Sequence, residues 1–235
     1  MATWTMHLAI AKELEKKLNI IDKNEFYFGN IVPDLEKWVV PDLDIFVDYN
    51  DSHYAITTNN YKNPLIADLD KFYKINKEEL IKQNPLIMGY YCHLIVDNYL
   101  NDKLGNNISV YNDNNEFIGI YLKNAEFLKC DKEKRRVLKH REYEMFNKYL
   151  IMNFKIESPI LNDKLVNSTN TLKNIVLSKR DIEKIINKAK ELINIDTFKD
   201  VKCEYEMYSE EILLEYYNDV IKYIIEVLKA KNLIK

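Results

Sequence analysis

The chain has 235 residues, 47% of them hydrophobic and 30% charged, which fits one large domain or two small ones and is ample for a sizeable core. Its net charge of -3, with both signs interspersed, argues against a dedicated basic nucleic-acid face. No window of about 18 consecutive apolar residues occurs, so no membrane span is expected.

Other compositional features narrow the class further. Only 4 Gly and 5 Pro favour long elements with few turns. Cys92, Cys130 and Cys203 are odd in number and widely spaced, which implies no disulfide framework. The N-terminal stretch lacks a basic start and charges break its apolar run, so a cytoplasmic protein is expected.

Taken in order, residues 6–18 carry Leu8, Ile10, Ala11, Leu14 and Leu18 at helical spacing, with His7 in the first turn. Residues 25–35 read as a short helix ending before Pro33, with Asp34 on the exit turn. Residues 36–63 have no good periodicity and read as a long loop broken at Pro41, crowded with Asp42, Asp44, Asp48 and Asp51 just before His53. A helix is expected over 65–75.

Residues 85–104 read as one long apolar helix with two polar residues, His93 and Asp97, set one turn apart on the same face. Gly105 and the two Asn after it predict a left-handed C-terminal cap. Residues 116–127 fit either strand or helix. A long helix is expected over 131–154 with Asp131 as N-cap, then a loop over 155–174. Helices over 178–193 and 209–233 each open on a capping Ser. The sum is a single all-α domain of about seven helices.

Buried polar groups on an apolar helix need partners. His93 and Asp97 are either a hydrogen-bonded core pair or metal ligands. The other three histidines bear on that choice. His7 starts the first helix, His53 follows the acidic loop, and His140 lies four residues before Glu144. Two long helices therefore each present a His and a carboxylate on one face, as helical proteins do when they build metal sites. Imidazole and carboxylate suit zinc, and zinc activates water for phosphate chemistry. Cys92 points about 100° away from His93 round the helix and reads as a buried structural thiol. Asp42, Asp44 and Asp51 are either partners orienting ligand histidines or solvated acids. The locally basic stretch 132–139 reads as a solvated helix face.

The order of these motifs resembles the zinc-dependent phospholipase C family, whose fold is shared with single-strand-specific zinc nucleases. The matching pieces are His7 on the first helix, the segment from Gly29 to Pro33-Asp34, the Asp-Ser-His-Tyr around His53, the His93-x3-Asp97 helix and the His140-x3-Glu144 helix. The run from His140 to Phe146 is similar to the family's His-x-x-Tyr-Glu-x-Phe. The resemblance covers about residues 1–150.

That resemblance implies two to three zinc ions. Asp34, His53 and His93 would hold one, and Asp97 would bridge it to another at His7 and the chain's N-terminal amine and carbonyl. His140 and Glu144 would hold the remaining ion. A zinc-bound hydroxide would attack phosphorus, with Asp34 taking the proton from that water. The family places a further His six residues after the bridging Asp, where this chain has Lys103. Asp102 is the candidate replacement ligand, and Lys103 the candidate contact to substrate phosphate. The expected function is a phosphodiesterase of the phospholipase C type, acting on a small phosphoester or a phospholipid head group. The rival is a non-catalytic metal-binding structural or interaction protein on the same scaffold.

Overall fold

Short polar side chains set every α-helix start in the computed structural model, which describes residues 2–35, 39–201 and 204–235. The N-terminal amine, the first residues of the acidic loop and Cys203 lie outside them. Among the described residues there are nine α-helices: α1 (Trp4–Leu18), α2 (Lys23–Gly29), α3 (Tyr49–Ser52), α4 (Leu69–Ile81), α5 (Pro85–Leu100), α6 (Lys132–Asn153), α7 (Asp163–Ser168), α8 (Lys179–Leu192) and α9 (Glu210–Ala230). Their N-caps are Thr3, Asp22, Asp48, Asp68, Asn84, Asp131, Asn162, Ser178 and Ser209. Each accepts from a backbone N–H of the first turn, which would otherwise be unsatisfied. Ser178 and Asp181 form the reciprocal capping box.

The axis of the molecule is α5. It is apolar on all sides, so burial all round is the stable outcome, and helices α1, α2, α4 and α9 pack against it. Its closest neighbour is α2. A Cβ built on Gly89 would stand 2.3 Å from the Phe26 carbonyl oxygen, and one on Gly29 would stand 2.1 Å from that of Leu86. The two glycines let the backbones touch. That contact fixes the turn after α2, which carries Asn30 and Asp34, against the face of α5 that carries His93.

Five short strands complete the fold. β1 (Ala55–Thr57) and β2 (Leu65–Ala67) pair antiparallel, with Ala55 opposite Ala67. β3 (Ser109–Tyr111), β4 (Phe117–Tyr121) and β5 (Phe127–Lys129) form an antiparallel meander with Gly119 opposite both Val110 and Lys129. The architecture is mostly α, with the candidate site between long helices as expected.

Several boundaries differ from the sequence reading. Residues 116–127, which fit either strand or helix by sequence, hold β4 and the first residue of β5 with a turn between them. Leu65–Ala67 is strand, and the helix begins only after Asp68 caps it. The loop over 155–174 contains α7. The α-helical hydrogen bonding of α5 stops at Leu100 and continues as a wide π-helical turn, Asn101–Asn106. Gly105 lies inside that turn instead of capping the helix, because the chain runs straight on into β3 and the Ser109 hydroxyl donates to the Gly105 carbonyl. No helix among the described residues is long and apolar enough to cross a membrane.

Candidate metal centre

Four side chains from separate parts of the chain converge on one buried point: Asp34 after α2, His53 after α3, and His93 and Asp97 on α5. All four are 3% exposed or less. His53 Nε2 lies 3.3 Å from Asp34 Oδ1, 3.3 Å from Asp97 Oδ2 and 3.3 Å from His93 Nε2. His93 Nε2 lies 3.6 Å from Asp34 Oδ1 and 3.5 Å from Asp97 Oδ2.

Neighbouring groups fix which nitrogen of each ring faces the cluster. The Asn30 carbonyl, 2.8 Å from His93 Nδ1, only accepts, so Nδ1 carries the proton there. Asn30 is itself clamped by its side-chain amide to the Phe26 carbonyl at 2.9 Å. The Ser52 hydroxyl donates to the Tyr49 carbonyl and lies 3.0 Å from His53 Nδ1, so it accepts from that nitrogen. Tyr49 stacks on the His53 ring at 4.0 Å, and the Tyr90 hydroxyl holds the Ser52 carbonyl. With both Nδ1 atoms donating outward, two Nε2 lone pairs and two carboxylate oxygens face one another.

Such a set of acceptors repels itself unless a cation sits among them. Asp34 Oδ1 and Asp97 Oδ2 have no hydrogen-bond partner among the described residues. A tetrahedral ion with ligands at 2.0–2.1 Å has donor-to-donor edges of about 3.3–3.4 Å. The observed edges run from 3.3 to 3.6 Å. The residues therefore fit zinc in spacing, donor type and ring orientation. Without an ion, protons must do the same work. Burial pushes His93 down, but Asp34 and Asp97 outweigh it and hold its pKa up at about 10. His53 is raised against its burial by the same two carboxylates. Asp34 and Asp97 are held below the ordinary carboxylate range, since His93 and His53 overcome the cost of burying them.

His7 extends the cluster. Its ring stacks on His93 at 3.8 Å and 11°, and its Nε2 lies 3.5 Å from Asp97 Oδ1. Neither ring nitrogen of His7 has a hydrogen-bond partner among the described residues. Asp97 thus turns Oδ2 to the four-residue cluster and Oδ1 to His7, and the Ala2 backbone N–H donates to Oδ1 at 3.0 Å. Burial and then the neighbouring His93 push the His7 pKa down. Thr3 caps α1 and its hydroxyl also donates to Asn147 on α6 at 2.6 Å, tying this end of the chain across the site.

His140 and Glu144 stand apart from the cluster. They lie on the open side of α6 and line a cleft of about 680 Å³ whose wall also includes Asp34, Ala2 and Trp4. Asp102 and Lys103 enter neither the cluster nor this cleft. The π-helical turn points Asp102 to solvent, where it accepts from the Asn106 amide at 3.0 Å. Lys103 sits over the Tyr99 ring at 5.9 Å and faces a different groove, beside Asn107 and Tyr121. The acidic loop also differs from one of its readings. Asp44 pairs with Lys184 at 3.4 Å, and the Asp42 carbonyl accepts from the same lysine. Asp48 caps α3, and the Asp51 carbonyl accepts from Asn174. Among the described residues none of them hydrogen-bonds to a histidine; Ser52 and Asn30 orient the rings instead. Cys92 is a buried free thiol, as expected, with its pKa pushed up by burial.

The sequence reading missed Lys139. Arg135, Lys139 and Tyr143 are spaced by four and share one face of α6, a pattern visible in the sequence. That face turns toward the site instead of solvent.

A family model described as zinc-dependent phospholipase C matches residues 6–195, beyond the stretch that carries the motifs. No curated protein and no solved structure matches the chain. The matched stretch runs from α1 through α8 and contains the four converging residues together with His7, His140 and Glu144, and the chain belongs to the zinc-dependent phospholipase C family.

Proposed function

We propose that this protein hydrolyses phosphate diesters in the manner of a phospholipase C, with zinc held at the buried cluster. The observation that carries the reading is the convergence of two imidazole lone pairs and two carboxylate oxygens at edges of 3.3–3.6 Å. Asp34, His53 and His93 would hold one ion, Asp97 would share it with a second at His7, and His140 with Glu144 would hold a third at the cleft wall. Bound zinc supplies Lewis acidity and lowers the pKa of water at neutral pH.

The protein's own groups do the rest. Asp34 belongs to both the cluster and the cleft wall, so its carboxylate is where a proton leaving an attacking water is taken up. Asn30 and Ser52 hold the two histidine rings through their Nδ1 protons and keep Nε2 free. The cleft is of a size suited to a small phosphoester or a phospholipid head group, and Trp4, Leu192 and Phe198 give it an apolar wall that limits water.

The test is hydrolysis of bis(4-nitrophenyl) phosphate by the zinc-loaded chain. Turnover should disappear on chelation and return with zinc, and Asp34→Asn should lower it by about 10²–10⁴. A protein that binds zinc at the cluster yet turns over no phosphodiester would be the non-catalytic binding protein instead.

A further inference from the structure

We propose that a second, smaller cleft beside the metal centre is an anion subsite, built to hold an additional phosphate carried by the substrate. Its volume is about 210 Å³, and Lys62, Arg135 and Lys139 line it. This extends the phosphodiesterase reading by naming a substrate class: diesters that bear a second phosphate group away from the bond that breaks.

The charge of this cleft sets it apart. Three cations line it, and no Asp or Glu is among its described lining residues. This occurs in a chain of net charge -3. Some cations elsewhere on the described surface pair with acids, as Lys184 does with Asp44 and Arg136 with Glu133. Lys62, Arg135 and Lys139 make no salt bridge with any carboxylate of the described residues. Arg135 is instead held in place by a 2.8 Å hydrogen bond to the Ser109 hydroxyl and by stacking over Phe117 at 5.1 Å. Lys139 is held over the Tyr143 ring at 5.6 Å. Gathering three like charges in one cleft is unfavourable unless an anion joins them. The planar guanidinium and two ammonium groups match phosphate oxygens in geometry and charge.

Position links the cleft to the reaction. Lys139 and Tyr143 line both this cleft and the larger one that contains Asp34, His140 and Glu144. A substrate seated at the metal centre can therefore extend past Lys139 into the cationic cleft. Arg135 and Lys139, one turn apart on α6, stand on the helix that carries His140 and Glu144, so the distance between the two subsites is set by a rigid element.

The test compares two chromogenic diesters that differ by one group, the 4-nitrophenyl esters of thymidine 5′-phosphate with a free 3′-hydroxyl and with a 3′-phosphate. It uses the zinc-loaded full chain, and a calorimetric titration with sulfate reads anion binding directly. The wild type should favour the 3′-phosphorylated diester by about tenfold or more in kcat/KM, mainly through KM, since a charge-assisted contact of this kind carries at least that ratio. Lys62→Ala with Arg135→Gln should bring the preference close to one and weaken sulfate binding, with zinc content and thermal midpoint retained. Equal kcat/KM for the two diesters in the wild type, with no sulfate binding, overturns the subsite and leaves the phosphodiesterase reading standing. Sulfate binding that the variants remove, in a chain that hydrolyses neither diester, keeps the anion site and overturns its assignment to substrate. A preference that survives both substitutions overturns the residue assignment.

Discussion

At the scale of single residues, the site depends on groups that never touch the proposed ions. Ser52 and the Asn30 carbonyl decide which nitrogen of His53 and His93 is free. Ser52→Ala removes the hydroxyl that accepts from His53 Nδ1 and should cost zinc affinity by about 10–100-fold, measured by competition with a chromogenic chelator. Unchanged affinity would mean that stacking on Tyr49 alone orients the ring. A buried carboxylate outside the site, Glu15 on α1, has a structural part. Burial pushes its carboxyl up, but hydrogen bonds from Tyr27, Lys23 and Lys12 outweigh that and leave its pKa below the ordinary value. A carboxyl lowered in the folded state contributes stability that is fully present above the unfolded value of about 4.5 and fades as the pH falls through the folded value. Glu15→Gln should therefore lower stability by about 1–3 kcal/mol at pH 7 and flatten the decline in acid, as read by urea unfolding at several pH values. An acid decline as steep as that of the wild type would exclude this role.

At the scale of elements, the contact of α2 with α5 places the ligands. Gly29 and Gly89 bring the two backbones together, and the Asn30 carbonyl reaches His93 only because they do. Gly89→Ala puts a methyl 2.3 Å from the Phe26 carbonyl, so α2 must shift. The expected cost is about 1–3 kcal/mol of stability, measured by denaturant unfolding, together with weaker zinc binding. Retained stability and retained affinity would show that the helices move apart without disturbing the turn that bears Asp34. Helix starts were the most legible feature of the sequence, since Asp131, Ser178 and Ser209 act as the caps their residue types imply. Helix ends and short strands were less legible. Gly105 has the composition of a cap, but the pull of the chain into β3 turns that stretch into a π-helical turn. Leu65–Ala67 shows the apolar character of a helix yet pairs with β1, because pairing across a turn is not written in local periodicity.

At the scale of the whole molecule, the fold gathers some of the expected ligands, while His140, Glu144 and Asp102 stay apart from them. His7, Asp34, His53 and the His93–Asp97 pair come from separate stretches of the chain, and the fold brings them within a few ångströms of one another. Spacing on single helices and the order of the motifs made them legible. What spacing could not convey is direction. Asp102 and Lys103 sit next to the expected ligand position and face elsewhere, because the π-helical turn rotates them off the face of α5 that bears His93. Lys139 shows the reverse: part of a charged run, it faces the site because α6 packs against α1 and its neighbours. The central claim is that a zinc ion belongs among Asp34, His53, His93 and Asp97. Crystals of untagged, zinc-supplemented protein measured at the zinc absorption edge test it most directly. The account predicts an anomalous peak within about 2.0–2.2 Å of His53 Nε2, His93 Nε2 and an oxygen of each carboxylate. Density without an anomalous peak at that point, with the four side chains in place, would contradict it.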